Sequence, residues 1–511
     1  MNPNLYSHLE NCFPSDREQV AIQTPTQNYS WNDLAVGSAQ IANVFRAKNL
    51  KPGSRVLAHI DKSPQALMLY LAALRAGLIY VPLNNAYQQS EMAYFFEDAS
   101  PSIAVCSAAN KAWIEPLAQQ NGCQHVYTLE ADGSGSLMKH AEKQPEQTQT
   151  QAVEAHDVAV IIYTSGTTGR SKGAMLTHGN LLANAQTLHD YWQWQPSDVL
   201  LHMLPVFHVH GLFVAAQGAL LAGAKMIWLE RFDPELALQY LPQSTLMMGV
   251  PTYYTRLLAK PEFDAAICRN MRLFISGSAP LLSATFKEFK QRTGFTILER
   301  YGLSETNMNA SNPYSPTSGP RLAGTVGRAL PGVSIRVVDD NDNIIEQPGT
   351  PGHIHVKGPN VFKGYWRKPE ITKKEFTADG WFRTGDIGTF GGDGIPDDYL
   401  SIVGRSKDLV ISGGLNVYPK EIELLIDAMP NVNESAVIGI PHPDLGEAVV
   451  AVIVPQTNTQ PDLDAILTHL KATLSNFKVP KKLVCINELP RNTMGKVQKN
   501  VLREQYAGVF K

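Results

Sequence analysis

Cysteine is scarce in this sequence, and its placement argues against two kinds of stabilised fold. The 511 residues include five cysteines, and none of them forms a Cys-x-x-Cys pair. A disulfide framework or a structural zinc site needs cysteines in even number and at close spacing, so we expect neither. Scattered, unpaired cysteines are typical of a reducing compartment, and we predict a cytoplasmic location.

A net charge of either sign is also lacking. The chain has 44 Lys and Arg against 47 Asp and Glu, which gives a formal charge of −3. This balance gives no general reason to expect nucleic acid or an anionic membrane as a partner. Residues 471–511 are an exception, with nine Lys or Arg and two Glu. Because few aromatic residues lie among them, we favour a solvated domain that carries one functional lysine to a polyanion over a nucleic-acid surface.

The sequence shows no signal for secretion or organelle import. Its N-terminus has neither the basic-then-apolar pattern of a signal peptide nor the arginine-rich pattern of a transit peptide. The 26 residues Val199–Ala224 lack Lys, Arg, Asp and Glu and are long enough to span a bilayer. They contain His202, His208, His210 and Pro205, however, and membrane segments seldom tolerate so much polarity. We therefore predict a buried strand, loop and helix here.

Length and composition indicate a globular protein of several folding units. Hydrophobic residues make up 44% of the chain and charged residues 18%, which is ordinary for a globular protein. Amphipathic and short apolar segments alternate along the N-terminal half, which predicts a layered α/β fold with mostly parallel strands. The clearest of these are helices over Asp33–Lys48 and Pro64–Ala76 and strands over Arg55–Ile60, Leu78–Pro82 and Ile103–Cys106.

A domain boundary is predicted where a glycine-punctuated hairpin ends. Residues 391–398 form the turn of that hairpin, and its outgoing strand is Tyr399–Val403. We predict a large N-terminal domain of layered α/β subdomains over residues 1–403, a hinge at 404–408 and a small α+β domain over 409–511.

The segment Tyr163–Gly173 carries the strongest chemical signal. It follows the apolar strand Val158–Tyr163, and its residues 164–169 are four hydroxyl residues and two glycines, with Lys172 shortly after them. Backbone N–H groups, hydroxyls and a lysine together can bind phosphate oxygens. The spacing is not that of a Walker A loop, which has G-x4-GK-[ST]. From composition alone, a polar turn after a strand remains the alternative.

This loop resembles the phosphate loop of the AMP-forming adenylating enzymes, which include acyl-CoA synthetases, peptide-synthetase adenylation domains and firefly luciferase. Further motifs of that family follow in the family's order over nearly the whole chain. They are Leu204–His208, Ser276–Pro280, Glu299–Thr306, Gly380–Asp386, Gly404–Asp408 and Pro490–Lys496. Any one of them is weak evidence, but together they make a chance resemblance negligible.

The resemblance implies an ATP site and assigns its residues. Tyr301 would stack on adenine, Asp386 and Arg405 would bind the ribose, Ser304 would reach the α-phosphate, and Glu305 would hold Mg2+. The remaining residues of the implied nucleotide site come from the phosphate loop and two other motifs, and they are Thr164, Ser165, Gly166, Thr167, Thr168, Gly169, Lys172, Gly277 and Glu299.

The implied reaction has two steps. A carboxylate first attacks the α-phosphate of ATP to form an acyl-adenylate and diphosphate, with Lys496 as the catalytic cation between the two anions. In the family the small, mobile C-terminal domain then rotates, which makes Asp408 the expected hinge residue. Gly413 and Gly414 would line the channel for the thiol of coenzyme A. The sequence leaves open whether a lysine acetyltransferase acts on Lys496, which would remove its charge.

Substrate choice is expected to depend on Arg300. Many family members have a small residue at this position, and a buried guanidinium needs an anion. Arg256, Ser278 and His208 would complete a site for a carboxylate, with His208 orienting the one that reacts. The pocket then suits a small diacid.

Within the family, this region and the stretches Lys357–Trp366 and Pro490–Asn500 resemble malonyl-CoA synthetases most, with methylmalonate as a plausible second substrate. Several alternatives remain open, among them oxidation of the luciferase kind and a carrier-protein thiol in place of coenzyme A. Arg300 could pair with an internal carboxylate, or the enzyme could use a medium-chain or aromatic monoacid. Outside the family, the chain could be a nucleotide-sensing module or a phosphate-loop ATPase, although Lys496 and the lack of a Walker lysine argue against both.

Overall fold

The described residues form four sheets. Three of them are built from residues up to Arg405, and the fourth begins at Val410. The computed structural model describes residues 2–164, 171–413, 415–492 and 495–510. Helices cover the sheets of the larger, N-terminal part, and the smaller C-terminal part packs helices on an antiparallel-rich sheet. The predicted fold class, a large layered α/β domain followed by a small α+β domain, is confirmed.

The strands of the described residues are numbered here in chain order. They are β1 Val20–Gln23, β2 Asn28–Ser30, β3 Arg55–His59, β4 Ile79–Pro82, β5 Ile103–Cys106, β6 His125–Thr128, β7 Val158–Thr164, β8 Lys172–Thr177, β9 Val199–His202, β10 Lys225–Trp228, β11 Leu246–Gly249, β12 Leu273–Ser276, β13 Leu298–Leu303, β14 Asn307–Ser311, β15 Arg328–Ala329, β16 Ser334–Val338, β17 Gly352–Lys357, β18 Phe382–Gly392, β19 Ile395–Arg405, β20 Val410–Ser412, β21 Leu415–Val417, β22 Val432–His442, β23 Gly446–Pro455 and β24 Lys482–Cys485.

The α-helices of the described residues are numbered in the same way. They are α1 Leu5–Glu10, α2 Trp31–Ala47, α3 Pro64–Arg75, α4 Gln89–Ala99, α5 Ala108–Gln120, α6 Ser136–Ala141, α7 His178–Tyr191, α8 Gln217–Ala222, α9 Pro234–Tyr240, α10 Pro251–Leu258, α11 Ser283–Thr293, α12 Pro369–Glu375, α13 Pro419–Asp427, α14 Leu463–Thr473 and α15 Lys499–Tyr506. A π-helical turn over His210–Ala216 leads directly into α8.

Local capping explains where the predicted helices begin. Helix α3 lies within one residue of its predicted bounds, because the Ser63 side chain accepts a hydrogen bond from the Ala66 N–H and proline occupies the first position. Helix α2 begins two residues before its predicted start. Ser30 and Asp33 form a capping box there, and Trp31 is buried.

The nine-stranded sheet places the ends of four strands at one edge. Its order is β15-β14-β13-β12-β11-β9-β10-β1-β2, and β9, β11, β12 and β13 run parallel. The six-stranded sheet has the order β6-β5-β3-β4-β7-β8, and the four-stranded sheet has the order β16-β17-β18-β19. Because the carboxyl ends of parallel strands meet at one edge, the segments that follow β9, β11, β12 and β13 converge there.

The C-terminal part has cores of its own. Two hydrophobic clusters contain only residues from Val410 onward and cover the two faces of the β22–β23 hairpin. Between β19 and β20, Ser406–Asp408 forms a single 3-10 turn. The exact domain bounds and the hinge at 404–408 stay predictions.

The segment Val199–Ala224 is a buried strand, loop and helix, as predicted. It comprises β9, the π-helical turn and α8, and it is almost wholly buried. Among the described residues, no helix combines the length and apolar character that crossing a membrane requires.

Asp198 joins the starts of three parallel strands of the nine-stranded sheet. Arg272, next to β12, donates from Nε to Asp198 Oδ1 at 2.7 Å and from Nη2 to Oδ2 at 2.6 Å. Thr245, next to β11, donates to Oδ1 at 2.8 Å. The carboxylate is buried and satisfied on both oxygens.

We predict that Asp198→Ala lowers the free energy of unfolding by about 3 kcal/mol, because it leaves Arg272 partly buried without its anion. Urea denaturation followed by circular dichroism measures the change. The matched control is Glu235→Ala, which breaks the solvent-exposed pair with Lys260 and should leave the urea midpoint unchanged. Equal effects of the two substitutions would contradict the prediction.

Candidate active site

A buried arginine lies at the centre of the edge where the parallel strands end. Arg300 of β13 is 4% exposed, and a Cβ placed on Gly277 would lie 2.3 Å from its Cζ. Glycine at position 277, directly after β12, therefore makes room for the guanidinium. Gly277 was predicted as part of the nucleotide site, but here it borders the arginine pocket.

The Arg300 guanidinium has unsatisfied hydrogen-bond donors. Its Nε and Nη2 have no hydrogen-bond partner, and no described carboxylate forms an ion pair with it. Burial lowers the pKa of Arg300 to about 9. A buried cation with free N–H groups is a site for an anion, and the alternative of pairing with an internal carboxylate finds no support among the described residues.

Two histidines and a serine lie around this cation. Ser278 Oγ lies 3.3 Å from His210 Nδ1, and His210 Nε2 has no hydrogen-bond partner. Burial, with the charges of Lys496 and Arg300 adding to it, lowers the pKa of His208 to about 3. Burial and the Arg300 charge also lower the pKa of His210. Both histidines are therefore neutral near pH 7. Each can donate one hydrogen bond and accept another without adding positive charge to the pocket.

His210 was not predicted as a site residue. Its sequence signal is weak, because it appears as one of three histidines in an apolar segment. The π-helical turn that begins at His210 brings it beside Ser278, and such turns occur frequently at functional sites.

Arg256, a predicted ligand of the substrate carboxylate, is not among the buried residues around Arg300. It is exposed on α10 and forms no ion pair or hydrogen bond with a described residue, whereas the buried neighbour from the same helix is Tyr254. Arg256 lies one helical turn after Thr252, which faces the C-terminal part of the chain. Its assignment to the substrate carboxylate stays a prediction.

The predicted ribose residues form one cluster. Tyr301 donates from its hydroxyl to Asp386 Oδ2 at 2.6 Å, and Arg405 Nε lies 2.9 Å from Asp386 Oδ1. Asp386 of β18 and Arg405 of β19 are register partners across the hairpin. The buried Asp386 carboxylate raises the pKa of Arg405, and burial raises the pKa of Tyr301 well above its ordinary value.

Glu299 is the second buried carboxyl residue of the site, after Asp386. It lies on β13, two residues before Tyr301. Because strand residues alternate between faces, these two lie on one side of β13 and Arg300 on the other. Burial raises the pKa of Glu299 to about 8, and its Oε1 has no hydrogen-bond partner. This carboxyl is therefore largely protonated near pH 7 and can both donate and accept a hydrogen bond.

Tyr365 joins the predicted metal ligand to the predicted phosphate-loop lysine. Its hydroxyl donates to Glu305 Oε1 at 2.9 Å, and Lys172 Nζ lies 4.4 Å from the centre of its ring. Lys172 also lies 3.5 Å from Glu375 Oε1. The role of Tyr365 was not predicted, because it depends on a contact between segments far apart in sequence.

Ser304 and Thr164 are two further predicted nucleotide residues that the structure describes. Ser304 is half-buried just after β13, and Thr164 ends β7 with its Oγ1 3.5 Å from the Lys172 carbonyl. The predicted residues Ser165, Gly166, Thr167, Thr168 and Gly169 lie outside the described residues.

Glu305 suits Mg2+ that is shared with phosphates. No group of three or more His, Cys, Asp or Glu residues in the described parts of the chain could hold a metal ion by itself. Mg2+ is usually held by one or two carboxylates, with substrate phosphates and water completing its shell. The half-buried Glu305 carboxylate, oriented by Tyr365, provides such a ligand.

Lys496 lies between the two groups of residues. Its charge interacts with Arg405, Asp386 and Glu305 on the nucleotide side and with Arg300 on the other. Burial is the main cause that lowers the pKa of Lys496 to about 8.

The loop that carries Lys496 is held against α10 and within its own domain. A Cβ on Gly495 would lie 3.6 Å from Thr252 Oγ1. Arg491 donates to the Gly495 carbonyl at 2.7 Å and pairs with Glu434. The Lys496 N–H donates to Asn492 Oδ1 at 3.0 Å.

The predicted hinge and coenzyme A residues lie at the start of the C-terminal part of the chain. Asp408 accepts a hydrogen bond from Arg503 of α15 at 2.7 Å. Gly413 is exposed at the turn between β20 and β21 with φ of 59°, and Gly414 lies outside the described residues. Exposed Ile411 and Leu415 flank the turn. The coenzyme A assignment stays a prediction.

Comparison with family models and with known proteins agrees with this geometry. Residues 10–366 match the model of the AMP-binding enzyme family, and residues 421–496 match the AMP-binding enzyme C-terminal domain. A curated relative, the mitochondrial malonate–CoA ligase ACSF3 of Mus musculus, is 36% identical, and the match covers 96% of this chain and 88% of the relative.

Two solved structures of MatB from Rhodopseudomonas palustris match the whole chain, and all of each structure is covered. The ATP-bound structure is 51% identical with a TM-score of 0.96, and the apo structure is 50% identical with a TM-score of 0.86. The structure as a whole therefore resembles the ATP-bound structure more than the apo structure. By its sequence motifs, its family matches and the convergence of its site residues, the chain belongs to the AMP-binding enzyme family.

Proposed function

We propose that the protein is an ATP-dependent malonyl-CoA synthetase, which converts malonate, ATP and coenzyme A into malonyl-CoA, AMP and diphosphate through malonyl-adenylate. The observation that supports malonate is the buried Arg300, whose free N–H groups lie in a pocket beside two neutral histidines. The whole-length similarity to a malonate–CoA ligase and to MatB supports the same reaction.

In the first step, one malonate carboxylate attacks the α-phosphate of ATP. Two anions must approach each other, and negative charge grows on the phosphoryl oxygens in the transition state. Lys496 is the cation placed to stabilise both, since its charge interacts with groups on each side of the cleft. His208, held neutral by its surroundings, orients the attacking carboxylate by a hydrogen bond.

The nucleotide is held by residues on the other side of β13. Asp386 and Arg405 offer a carboxylate and a guanidinium for the ribose hydroxyls, and Tyr301 supplies an aromatic surface for adenine. When bound by Glu305, Mg2+ supplies positive charge to the phosphate oxygens. Tyr365 orients Glu305, and Lys172 adds a second cation near it.

In the second step, the thiol of coenzyme A attacks the activated carbonyl. We propose that residues 409–511 rotate about 404–408, which removes Lys496 from the cleft and brings in the segment around Gly413 and Gly414. The exposure of Ile411 and Leu415, 52% and 50%, supports this proposal, because apolar residues flanking that turn would gain burial on a second surface.

Arg300 explains the preference for a diacid. The second malonate carboxylate compensates the buried guanidinium, whereas a medium-chain or aromatic monoacid would bring an apolar group against an unpaired charge. Methylmalonate keeps both carboxylates and adds one methyl group, so it is the expected second substrate. The location in the cytoplasm, predicted from the scattered cysteines, stays a prediction.

Diphosphate release by the purified protein tests the function. The protein is given ATP and Mg2+ with malonate, acetate, octanoate or benzoate, each with and without coenzyme A. We expect strong release with malonate and coenzyme A and little with the monoacids. A preference for octanoate or benzoate would overturn the diacid assignment, and release of phosphate without any acid would overturn the ligase itself.

We predict that Arg300→Met raises the KM for malonate by at least about 100-fold, because the second carboxylate then enters a buried pocket without a cation. The same variant should gain activity with propionate. Steady-state kinetics with both acids measures this, and the KM for ATP should stay within about twofold, since Arg300 lies across β13 from Tyr301.

Arg256→Met serves as the comparison for Arg300→Met. Arg256 is exposed, so we expect a rise in the KM for malonate of less than about tenfold. A larger effect for Arg256→Met than for Arg300→Met would move the carboxylate site to α10.

We predict that adenylation falls as pH rises through about 8, because Lys496 acts as a cation and its pKa is lowered to about 8. Malonate-dependent exchange of diphosphate into ATP measures adenylation alone. Lys496→Arg should keep some activity and lose this alkaline decline, since arginine stays charged. Lys496→Gln should lower the exchange about 100- to 1000-fold at every pH while malonyl-adenylate supplied from outside still reacts with coenzyme A.

We also propose Lys496 as the position at which a lysine acetyltransferase would switch the enzyme off. Acetylation removes the charge that adenylation requires. Protein made with acetyl-lysine at position 496 should behave as Lys496→Gln does in both assays. Full exchange activity in the acetylated protein would contradict both the proposed switch and the catalytic role of the charge.

A further inference from the structure

We propose that Lys62, a residue outside the site described above, is a positioning residue for the carboxylate pocket. It acts by fixing one tautomer of His202, which in turn holds the turn that carries His208 and His210. The kinetic test of this inference rests on the proposed function, while its structural basis does not.

Lys62 is an unusual buried cation. It is 8% exposed, and its Nζ lies 2.8 Å from His202 Nδ1, 2.9 Å from the His202 carbonyl and 2.6 Å from the Leu229 carbonyl. An ammonium group has three N–H donors and no acceptor, so these three contacts satisfy it completely. The ring of Trp228 lies 4.5 Å from the same Nζ and adds a cation–π contact.

The contacts of both ring nitrogens show where the proton of His202 lies. The Gly211 carbonyl, 2.8 Å from Nε2, can only accept a hydrogen bond, so the ring proton lies on Nε2. Nδ1 is then unprotonated and accepts the hydrogen bond from Lys62. The His202 ring is also stacked on Trp228, with ring centres 4.4 Å apart, so it has little freedom to turn.

Gly211 is the second residue of the π-helical turn. A Cβ on Gly211 would lie 2.0 Å from the Pro205 carbonyl oxygen, so residues 205–211 form a tight loop that closes on itself. The Leu212 N–H donates to the His208 carbonyl at 3.0 Å within the same loop. Holding the Gly211 carbonyl therefore holds His208 and His210, which both lie within this loop.

Lys62 and the residues that it contacts, His202 and Leu229, belong to regions of two different sheets. It lies between β3 of the six-stranded sheet and α3, whereas His202 and Leu229 lie at the ends of β9 and β10 of the nine-stranded sheet. A well-packed apolar residue generally serves stability as well as a buried charge does. A lysine serves here because its N–H donor favours the Nε2–H tautomer of His202, which an apolar side chain would not do. Burial lowers the pKa of Lys62, and the charge of Glu230 acts in the opposite direction.

The experiment compares Lys62→Met with the wild type in malonate-dependent exchange of diphosphate into ATP. We expect the KM for malonate to rise about tenfold or more, while the KM for ATP stays within about twofold, because only the carboxylate pocket loses its support. The matched control is Arg75→Met. Arg75 is another buried cation, hydrogen-bonded to Tyr6 and to the Thr148 carbonyl, far from the pocket. It should lower the melting temperature and leave both KM values unchanged.

Two variants of His202 test the tautomer directly. Glutamine can place an N–H near the Nε2 position, so His202→Gln should keep the KM for malonate near that of the wild type, whereas His202→Leu should raise it as Lys62→Met does. An unchanged malonate KM in Lys62→Met, or a proportionate rise in both KM values, would overturn the proposal. If Lys62→Met does not fold, equal malonate KM values for the two His202 variants would overturn it. Absence of malonate-dependent exchange in the wild type would instead refute the proposed function.

Discussion

The buried charge of Arg300, which pairs with no described carboxylate, is the constraint on which the site depends. Burying a guanidinium is costly, and the chain offers it space rather than a counterion: Gly277 leaves room for its Cζ. The groups around it must then be neutral or supplied from outside. Burial lowers the pKa values of His208 and His210, and the Arg300 charge adds to this effect, so the two histidines bring no further positive charge into the pocket. The site is therefore incomplete without an anionic substrate.

One strand divides the chemistry in two. Residues of β13 alternate between faces, so Arg300 lies on one side and Glu299 and Tyr301 lie on the other. On the proposed function, the fixed geometry of this strand sets the distance between malonate and the nucleotide. This rigidity matters because attack on a phosphate requires the carboxylate to be held close to it against mutual repulsion.

Sequence motifs predicted the fold class and most members of the site, but they did not predict contacts between distant segments. Helix α3 was placed within one residue because Ser63, Pro64 and the glycine after the helix are local signals. Arg300 stood out because many members of the family that the motifs resemble have a small residue at its position.

Other members depended on packing that a single sequence does not reveal. Arg256 shares a helix with buried Tyr254, and which of the two turns inward is decided by the neighbouring strands. Tyr365 is 60 residues from Glu305, and Lys62 is 140 residues from His202, so neither contact leaves a local pattern.

The charge of Lys496 links the chemistry to the position of its domain. In this structure, which we call the closed arrangement, burial and the charges of Arg405 and Arg300 disfavour the ammonium form of Lys496. The charges of Asp386 and Glu305 favour it. On the proposed mechanism, ATP and malonate add negative charge on both sides of the lysine and so stabilise the closed arrangement. Diphosphate carries much of that charge away when it leaves, and the second carboxylate of the malonyl group remains paired with Arg300. The remaining interactions of the Lys496 charge are then more repulsive. Completion of the first step therefore weakens the contact that must break before coenzyme A can enter.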